Sequence, residues 1–538
     1  MRKFLIITIV LLLAAAVSSV GIACSLAAPR AEVGYFEQTL LGDASAAEGL
    51  NIDLHETFRQ RIFWDSSLSF GQGGLRAQTA QKAYASTNNP RMAARTKADL
   101  TIYSVFGATL DNAGMGVGKA YEDMLKDALP QVEHSKKIRA ADYYDYYPVS
   151  IYIIPEEGDS KTVKSLSLEE ENLDLIPEEK RSADVAELAK IVDYFCVPVL
   201  EDQYLLISGS KDKNGNINKM SFGADPDESG DNYYLQSNSI EAQDGFYFYF
   251  YGYSEKNKLM DFSHVPGGYG LYFLPFSENA DGARGFDADG LKTVLPLDPD
   301  NYIYYLCADA DGHLIMVTCE DGGLYAAVIE TENYTQTQKI RLADYEKDSE
   351  GIILDFCSGD DYLYVCRMEN VHDAAADAVQ QKDAGFHFIL LAENAQGEYE
   401  LAIDNILGTS ELPEGMDANS NILPWNEWSN SKQLAWNGEK LAVASTSRLE
   451  NAITDVEYDW VYDIRNYYYD QGCGFDLAII GTDGLEYLGV CSSTLDQANL
   501  YAVPKKADGS PSMKTNTFRT YNYNVRPHGE TPVQLSWR

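Results

Sequence analysis

Four times between residues 270 and 481 a glycine opens an apolar strand, and each time another strand follows across a turn. The heads are GLYFLPF at Gly270, GLYAAVIE at Gly323, GFHFILLAE at Gly385 and GFDLAIIG at Gly474. LKTVLPL, TQKIRLA, EYELAI and LEYLGV follow them, and GFYFYFYGY, HLIMVTCE, DYLYVCRME and KLAVAST precede them. The glycine-to-glycine steps are 53 (323−270), 62 (385−323) and 89 (474−385) residues. The surplus in the longer steps falls at 367–384, and at 405–430 with 447–472, so length varies between strands and not within them. The stretch Asn301–Asp404 holds the two most regular units.

A four-stranded sheet cannot bury both of its faces alone. Radial stacking of such sheets buries them and leaves only short edges. The expected fold is therefore mainly β, with a β-propeller-like repeat body of six to eight four-stranded blades. Tyr204–Phe222 reads as an earlier hairpin of the same kind. The C-terminal VQLSWR can complete a blade by closing the ring.

The repeat texture begins near residue 196, so 196–538 is assigned to the repeat domain and 51–195 to an N-terminal α+β segment. In that segment NIDLHETF and RIFWDSSLSF read as a strand pair, residues 71–98 as a loop and ADLTIYSVFGATL as a strand. Val117, Ala120, Tyr121, Met124, Leu125, Ala128 and Leu129 share one helical face, and Pro130 ends that helix. A second helix is predicted over Ser182–Phe195, with Val185, Leu188, Val192 and Phe195 on one side. Residues 155–181 are a polar connector.

The first residues carry an export pattern. Met1-Arg2-Lys3 is a basic start, Phe4–Val20 is almost wholly apolar, and small residues follow. Residues 1–28 are read as a signal peptide or membrane anchor and 29–50 as a tether. Ser25-Leu26-Ala27 fits a cleavage site, and Gly21-Ile22-Ala23-Cys24 resembles a bacterial lipobox, in which Cys24 is lipidated. Each ending places the chain outside the cytoplasm, on the outer face of the membrane or secreted. A net charge of −40, spread along the chain, repels nucleic acid and anionic membrane surfaces. Membrane contact is then expected through the N-terminal segment alone.

Seven cysteines follow Cys24: Cys196, Cys307, Cys319, Cys357, Cys366, Cys473 and Cys491. Several sit in apolar strand text, which favours buried thiols. The hairpin-like spacings also allow Cys307–Cys319 and Cys357–Cys366 disulfides.

No GxSxG, HExxH, Walker A or dinucleotide fingerprint is present. Two SxxK strings, at Ser208 and Ser429, lack companion motifs. DKNGNIN (Asp212–Asn218) opens like an EF-hand loop but has Ile217 where glycine is required, and Asn214-Gly215 makes it a hairpin turn. Two Asp-Ala-Asp-Gly strings place Asp287 with Asp289, and Asp309 with Asp311, at tight turns. These pairs are the candidate ligands for Ca²⁺, the one cofactor considered, and turn chemistry explains them equally. The 447–472 insertion contains NAITDVEYDWVYDIRNYYYDQG. Its Trp460, Tyr462, Tyr467, Tyr468 and Tyr469 are the candidate ligand-binding residues, because loops on a rigid scaffold carry binding.

With its ETFRQRIFWD and DYYDYYP stretches, N-terminal signal or anchor and propeller-like body, the chain resembles uncharacterised exported proteins of Gram-positive bacteria. That resemblance implies no activity. The expected function is an extracytoplasmic, membrane-tethered, non-catalytic binding or interaction protein for a protein or glycan partner. The alternatives are an extracellular hydrolase, carbohydrate-active for example, using carboxylates at the propeller mouth, and an accessory or sensor subunit of a membrane system.

Overall fold

Asp321 and Gly322 reverse the chain in two residues, both at positive φ (47° and 73°). That is the turn whose twist matches paired strands, and Asp-Gly is the sequence that adopts it. It joins Leu314–Glu320 to Gly323–Glu330, with Glu320 opposite Gly323. Tyr302–Ala308 and Thr335–Asp344 complete a four-stranded antiparallel meander. In Leu314–Cys319 every residue is buried, so both faces of this inner strand are covered. Thr335–Ile340, on the outer strand, is largely exposed.

In this computed structural model the described residues are 35–58, 62–71, 74–83, 99–104, 108–111, 135–142, 145–147, 149–154, 166–168, 187, 190–191, 194–199, 204–211, 217–224, 233–254, 260–278, 284–345, 352–369, 385–413, 423–425, 432–446, 474–493 and 533–538. They form six antiparallel sheets of four or five strands, with a three-stranded and a two-stranded sheet besides. The fold is mainly β and β-propeller-like: successive meanders, one of them closed by strands from opposite ends of the chain. The chain divides into two units, 94–349 and 1–93 with 350–538.

In the unit 94–349, Tyr233–Glu241, Gly245–Ser254 and Gly270–Glu278 build an aromatic sheet, to which Arg284–Phe286 and Lys292–Pro296 pair. Gly270 lies opposite Pro296, and a Cβ there would stand 2.0 Å from the Leu295 carbonyl oxygen. The glycine that heads this repeat is thus required by the backbone approaching it. Gly385 repeats the arrangement opposite Gly408, with the Leu407 oxygen 3.1 Å from such a Cβ. Ala108–Asp111 and Ser135–Arg139 pair with Ile217–Ala224 and Tyr204–Lys211. This pairing cuts across the boundary expected near residue 195. Of the second expected helix, Glu187, Lys190 and Ile191 are helical. Phe195 packs edge-on to Phe248, Phe250 and Tyr272. The first expected helix, 117–129, lies outside the described residues.

In the other unit, three sheets share two apolar layers. One layer lies between the 352–408 and 433–493 sheets, and the other between the 433–493 sheet and the strands Leu50–Gly71. Val533–Trp537 pairs antiparallel with Leu50–Leu54, so the last strand completes a sheet begun near the N-terminus. Arg538 N–H donates to the Gly49 oxygen (3.1 Å) and Trp537 Nε1 to the Ala435 oxygen (2.9 Å). Residues 29–50 differ from the expected tether, because Tyr35–Gly42 is a strand on the edge of Gly484–Ser493. Residues 71–98 differ from the expected loop, because Gly74–Ala83 is the outer strand beside Ile62–Gly71. An outer strand faces water on much of its surface, so Arg76, Gln78 and Thr79 hide the apolar alternation that identifies inner strands. ADLTIYSVFGATL is two strands, Asp99–Ser104 and Ala108–Asp111, in different sheets.

Candidate functional site

The Asp287 string forms a short 3-10 turn, Ala288–Gly290. Asp287 Oδ1 accepts from Gly290 N–H (3.2 Å), as an Asp at a turn commonly does. Glu187 joins the turn from the chain preceding the repeat body. Its Oε2 accepts from Ala288 N–H (3.2 Å). One oxygen each of Glu187, Asp287 and Asp289 lies within 4.8 Å of the others. Lys190 Nζ bridges Glu187 Oε1 (2.8 Å) and Asp289 Oδ2 (3.2 Å). The hydrogen bond to Glu187, then that to Asp289, raises the Lys190 pKa. The oxygens would suit a hard cation such as Ca²⁺. Lys190 already supplies a positive charge to two of the three carboxylates.

The second string is arranged differently. Asp309 has a buried carboxylate that accepts from His313 N–H (2.8 Å, Oδ1) and meets His313 Nδ1 (2.8 Å, Oδ2). Both of its oxygens thus serve the turn. Asp311 is exposed at the tip. Among the described residues the structure gathers Asp287 and Asp289 with Glu187, and it does not gather Asp309 and Asp311 into such a group.

The Asp309 hydrogen bond raises the His313 pKa. A raised folded-state value means that the pair's stabilisation is fully present below the unfolded histidine value, about 6.5, and is lost as pH rises through the folded value. Thermal melts from pH 5.5 to 8.5 should show wild type losing more stability toward high pH than His313→Gln does. Parallel profiles would refute the assignment.

Trp460, Tyr462, Tyr467, Tyr468, Tyr469 and Cys24 lie outside the described residues. The frames of the two insertions are described. Glu369 faces Gly385, and Thr446 faces Phe475, so each insertion leaves the second strand of its meander and returns on the third. In the 302–344 sheet the same junction is the two-residue Asp321-Gly322 turn. The first insertion begins at 370 and not 367, because Arg367–Glu369 belongs to the strand Tyr362–Glu369.

One feature of this unit was not expected from the sequence. Tyr399–Gly408 is the outer strand of the 352–408 sheet, and among the described residues no strand pairs with its far edge. Ile406 on it is 76% exposed and Leu401 37%. Two other outer strands carry the basic residues that commonly protect an edge, whereas Tyr35–Gly42, the end strand of its own sheet, carries none. Thr335–Asp344 carries Lys339 and Arg341, Gly74–Ala83 carries Arg76 and Lys82, and Gly484–Ser493 is covered by Tyr35–Gly42. Tyr399–Gly408 has Glu400 and Asp404 and no basic residue. It is also held firmly. Asn405 Nδ2 donates to the Gly481 and Thr482 oxygens (3.1 and 2.7 Å), and Asp404 Oδ1 meets His387 Nε2 at 2.6 Å.

Cys307, Cys319, Cys357 and Cys366 are thiols, not two hairpin disulfides. Among the described residues no helix is long and apolar enough to cross a membrane.

No family model and no curated protein matches the chain. Among solved structures it is similar to a protein from Lactobacillus plantarum, at 8% identity over 83% of this chain and 99% of that one, with a TM-score of 0.25. An α-L-arabinofuranosidase from Clostridium thermocellum matches at 10% identity over 54% of this chain and 91% of that one, TM-score 0.20. A puromycin hydrolase matches at 10% identity over 83% of this chain and 54% of that one, TM-score 0.21. Likenesses this loose bring no activity to the chain.

Proposed function

We propose that the chain is an exported binding protein, tethered through its N-terminal segment, whose strand Tyr399–Gly408 docks an extended, basic segment of a partner protein. The observation that carries this reading is the open edge with its exposed Ile406. Antiparallel strand addition would pair the edge N–H and C=O groups, and the apolar side chains would cover Ile406 and Leu401. Glu400 and Asp404 set the charge of the occupant. They favour lysine or arginine and oppose a second copy of this acidic chain, which would bring like charges together. The neighbouring sheet supplies the precedent, since Tyr35–Gly42 adds antiparallel to its outer strand. The 447–472 insertion, with Trp460, Tyr462 and Tyr467–Tyr469, is a second contact surface in this proposal. The Met1–Lys3 start and the apolar run after it support export to the outer face of the membrane.

A labelled ten-residue peptide alternating lysine and valine is the probe. Its binding, read by fluorescence anisotropy, should weaken as salt rises. Ile406→Lys and the double change Glu400→Lys with Asp404→Lys should each weaken it about tenfold or more, for roughly 1.4 kcal/mol. Equal binding by wild type and both variants would refute the proposal, as would a stable dimer abolished by Ile406→Lys.

A further inference from the structure

The six described cysteines are thiols in different surroundings. Burial pushes Cys357 up to about 11 and Cys366 up to about 12, and holds Cys491 well above an ordinary thiol. Cys307 and Cys319 direct Sγ at the carbonyl oxygens of Ile315 and Tyr345, each at 3.7 Å. A carbonyl cannot remove a thiol proton at neutral pH. Cys196 stands beside an imidazole: its Sγ lies 3.0 Å from His264 Nδ1.

Three segments of the unit 94–349 build this place. Tyr146–Tyr147 pairs with Val197–Pro198, and Cys196 bridges to Asp261, whose N–H donates to the Cys196 oxygen (3.2 Å). Asp261 is fixed in turn. Its Oδ1 accepts from Ser263 N–H (2.9 Å) and its Oδ2 from Tyr146 O–H (3.0 Å). The bonds from Ser263, with a smaller contribution from Tyr146, keep it ionised by lowering its pKa. Tyr146 also stands edge-on to the His264 ring, with centroids 6.3 Å apart. Cys196 is 9% exposed and His264 is exposed, so the pair borders solvent.

We propose that Cys196 and His264 form a thiol-exchange site that takes up low-molecular-weight disulfides as a mixed disulfide. The neutral ring accepts at Nδ1, with its own proton on Nε2. The Sγ proton passes to Nδ1, giving an imidazolium beside the ionised Asp261. Sγ then attacks one sulfur of the incoming disulfide. A new S–S bond forms and the old one breaks, and the departing thiolate takes the proton from Nδ1. Cys196 is oxidised and the departing sulfur is reduced, so no further oxidant enters.

The test uses the full chain, native, with excess cystine, quenched at intervals and mapped by peptide mass. A cysteinyl adduct should form on the Cys196 peptide about tenfold or more faster than on those of Cys307, Cys319, Cys357, Cys366 and Cys491. His264→Ala and the volume-matched His264→Gln should both slow it about tenfold, at an unchanged melting temperature. A structural role alone would not give that separation. Adduct formation at the wild-type rate in the two histidine variants would overturn the proposal, and so would comparable rates at the other five sites.

Discussion

Deleting residues 533–538 should lower the melting temperature of the unit 1–93 with 350–538 by roughly 10–20 °C. The loss is that of a whole strand. Val533–Trp537 pairs along Leu50–Leu54, and without it the edge of that strand is open to solvent. Leu535 and Trp537 pack against the apolar layer that holds Leu50, Ile52 and Leu54. About four ladder hydrogen bonds at roughly 0.5–1 kcal/mol net each, with two half-buried large side chains at about 1–2 kcal/mol each, give the strand roughly 4–8 kcal/mol. At about 2–4 °C per kcal/mol for a unit of this size, the stated drop follows. Calorimetry of the truncated chain measures it. A synthetic peptide of residues 531–538 should recover part of the loss, since the strand binds through the same ladder. A truncated chain that melts within about 2 °C of wild type would show that the last strand does not close this sheet.

The second large effect is expected at Trp425. It is fully buried, with its ring edge-on to Phe386 (5.5 Å) and Phe388 (5.1 Å). It fills the layer between the 352–408 and 433–493 sheets with Leu423, Leu441 and Ile480. The segment carrying it is tied down by Lys432, whose Nζ donates to the Trp425 oxygen (3.2 Å) and pairs with Asp355. Trp425→Ala leaves a cavity between two inner faces and should cost about 3–5 kcal/mol. Trp425→Phe should cost far less than that. It retains an aromatic ring, and among the described residues the indole N–H meets no acceptor, so no hydrogen bond is sacrificed. Urea denaturation of both variants separates packing from polarity. Equal losses for Phe and Ala would place the stabilisation in a bond of the N–H instead.

The repeat was legible because inner strands of stacked sheets are buried on both faces. GLYFLPF, GLYAAVIE, GFHFILLAE and GFDLAIIG each begin a strand at the expected glycine: Gly270, Gly323, Gly385 and Gly474. VQLSWR, although an outer strand, was legible for another reason: its Leu535 and Trp537 alternate with polar residues. Two other outer strands were not. Gly74–Ala83 and Tyr35–Gly42 face water along much of their length, so their composition resembles that of loops. The candidate site was legible in fragments. The pairing of Asp287 with Asp289 follows from one turn, but Glu187 and Lys190 reach it across about a hundred residues, which no local pattern encodes. Cys196 and His264 are 68 residues apart and meet only because Tyr146–Tyr147 and Asp261 bring their segments together. The open edge was hidden for another reason. Ile406 falls in 405–430, read from the sequence as surplus between strands, whereas the strand Tyr399–Gly408 runs through its first residues and nothing described lies beyond its edge.

Hydrogen–deuterium exchange with the lysine–valine peptide tests the binding reading most directly. Residues 399–408 should gain protection on adding the peptide, while the inner strands Tyr362–Glu369 and Gly385–Glu393 keep theirs unchanged. Ile406→Lys should abolish the gain. Protection gained on another strand with 399–408 unchanged would contradict the account.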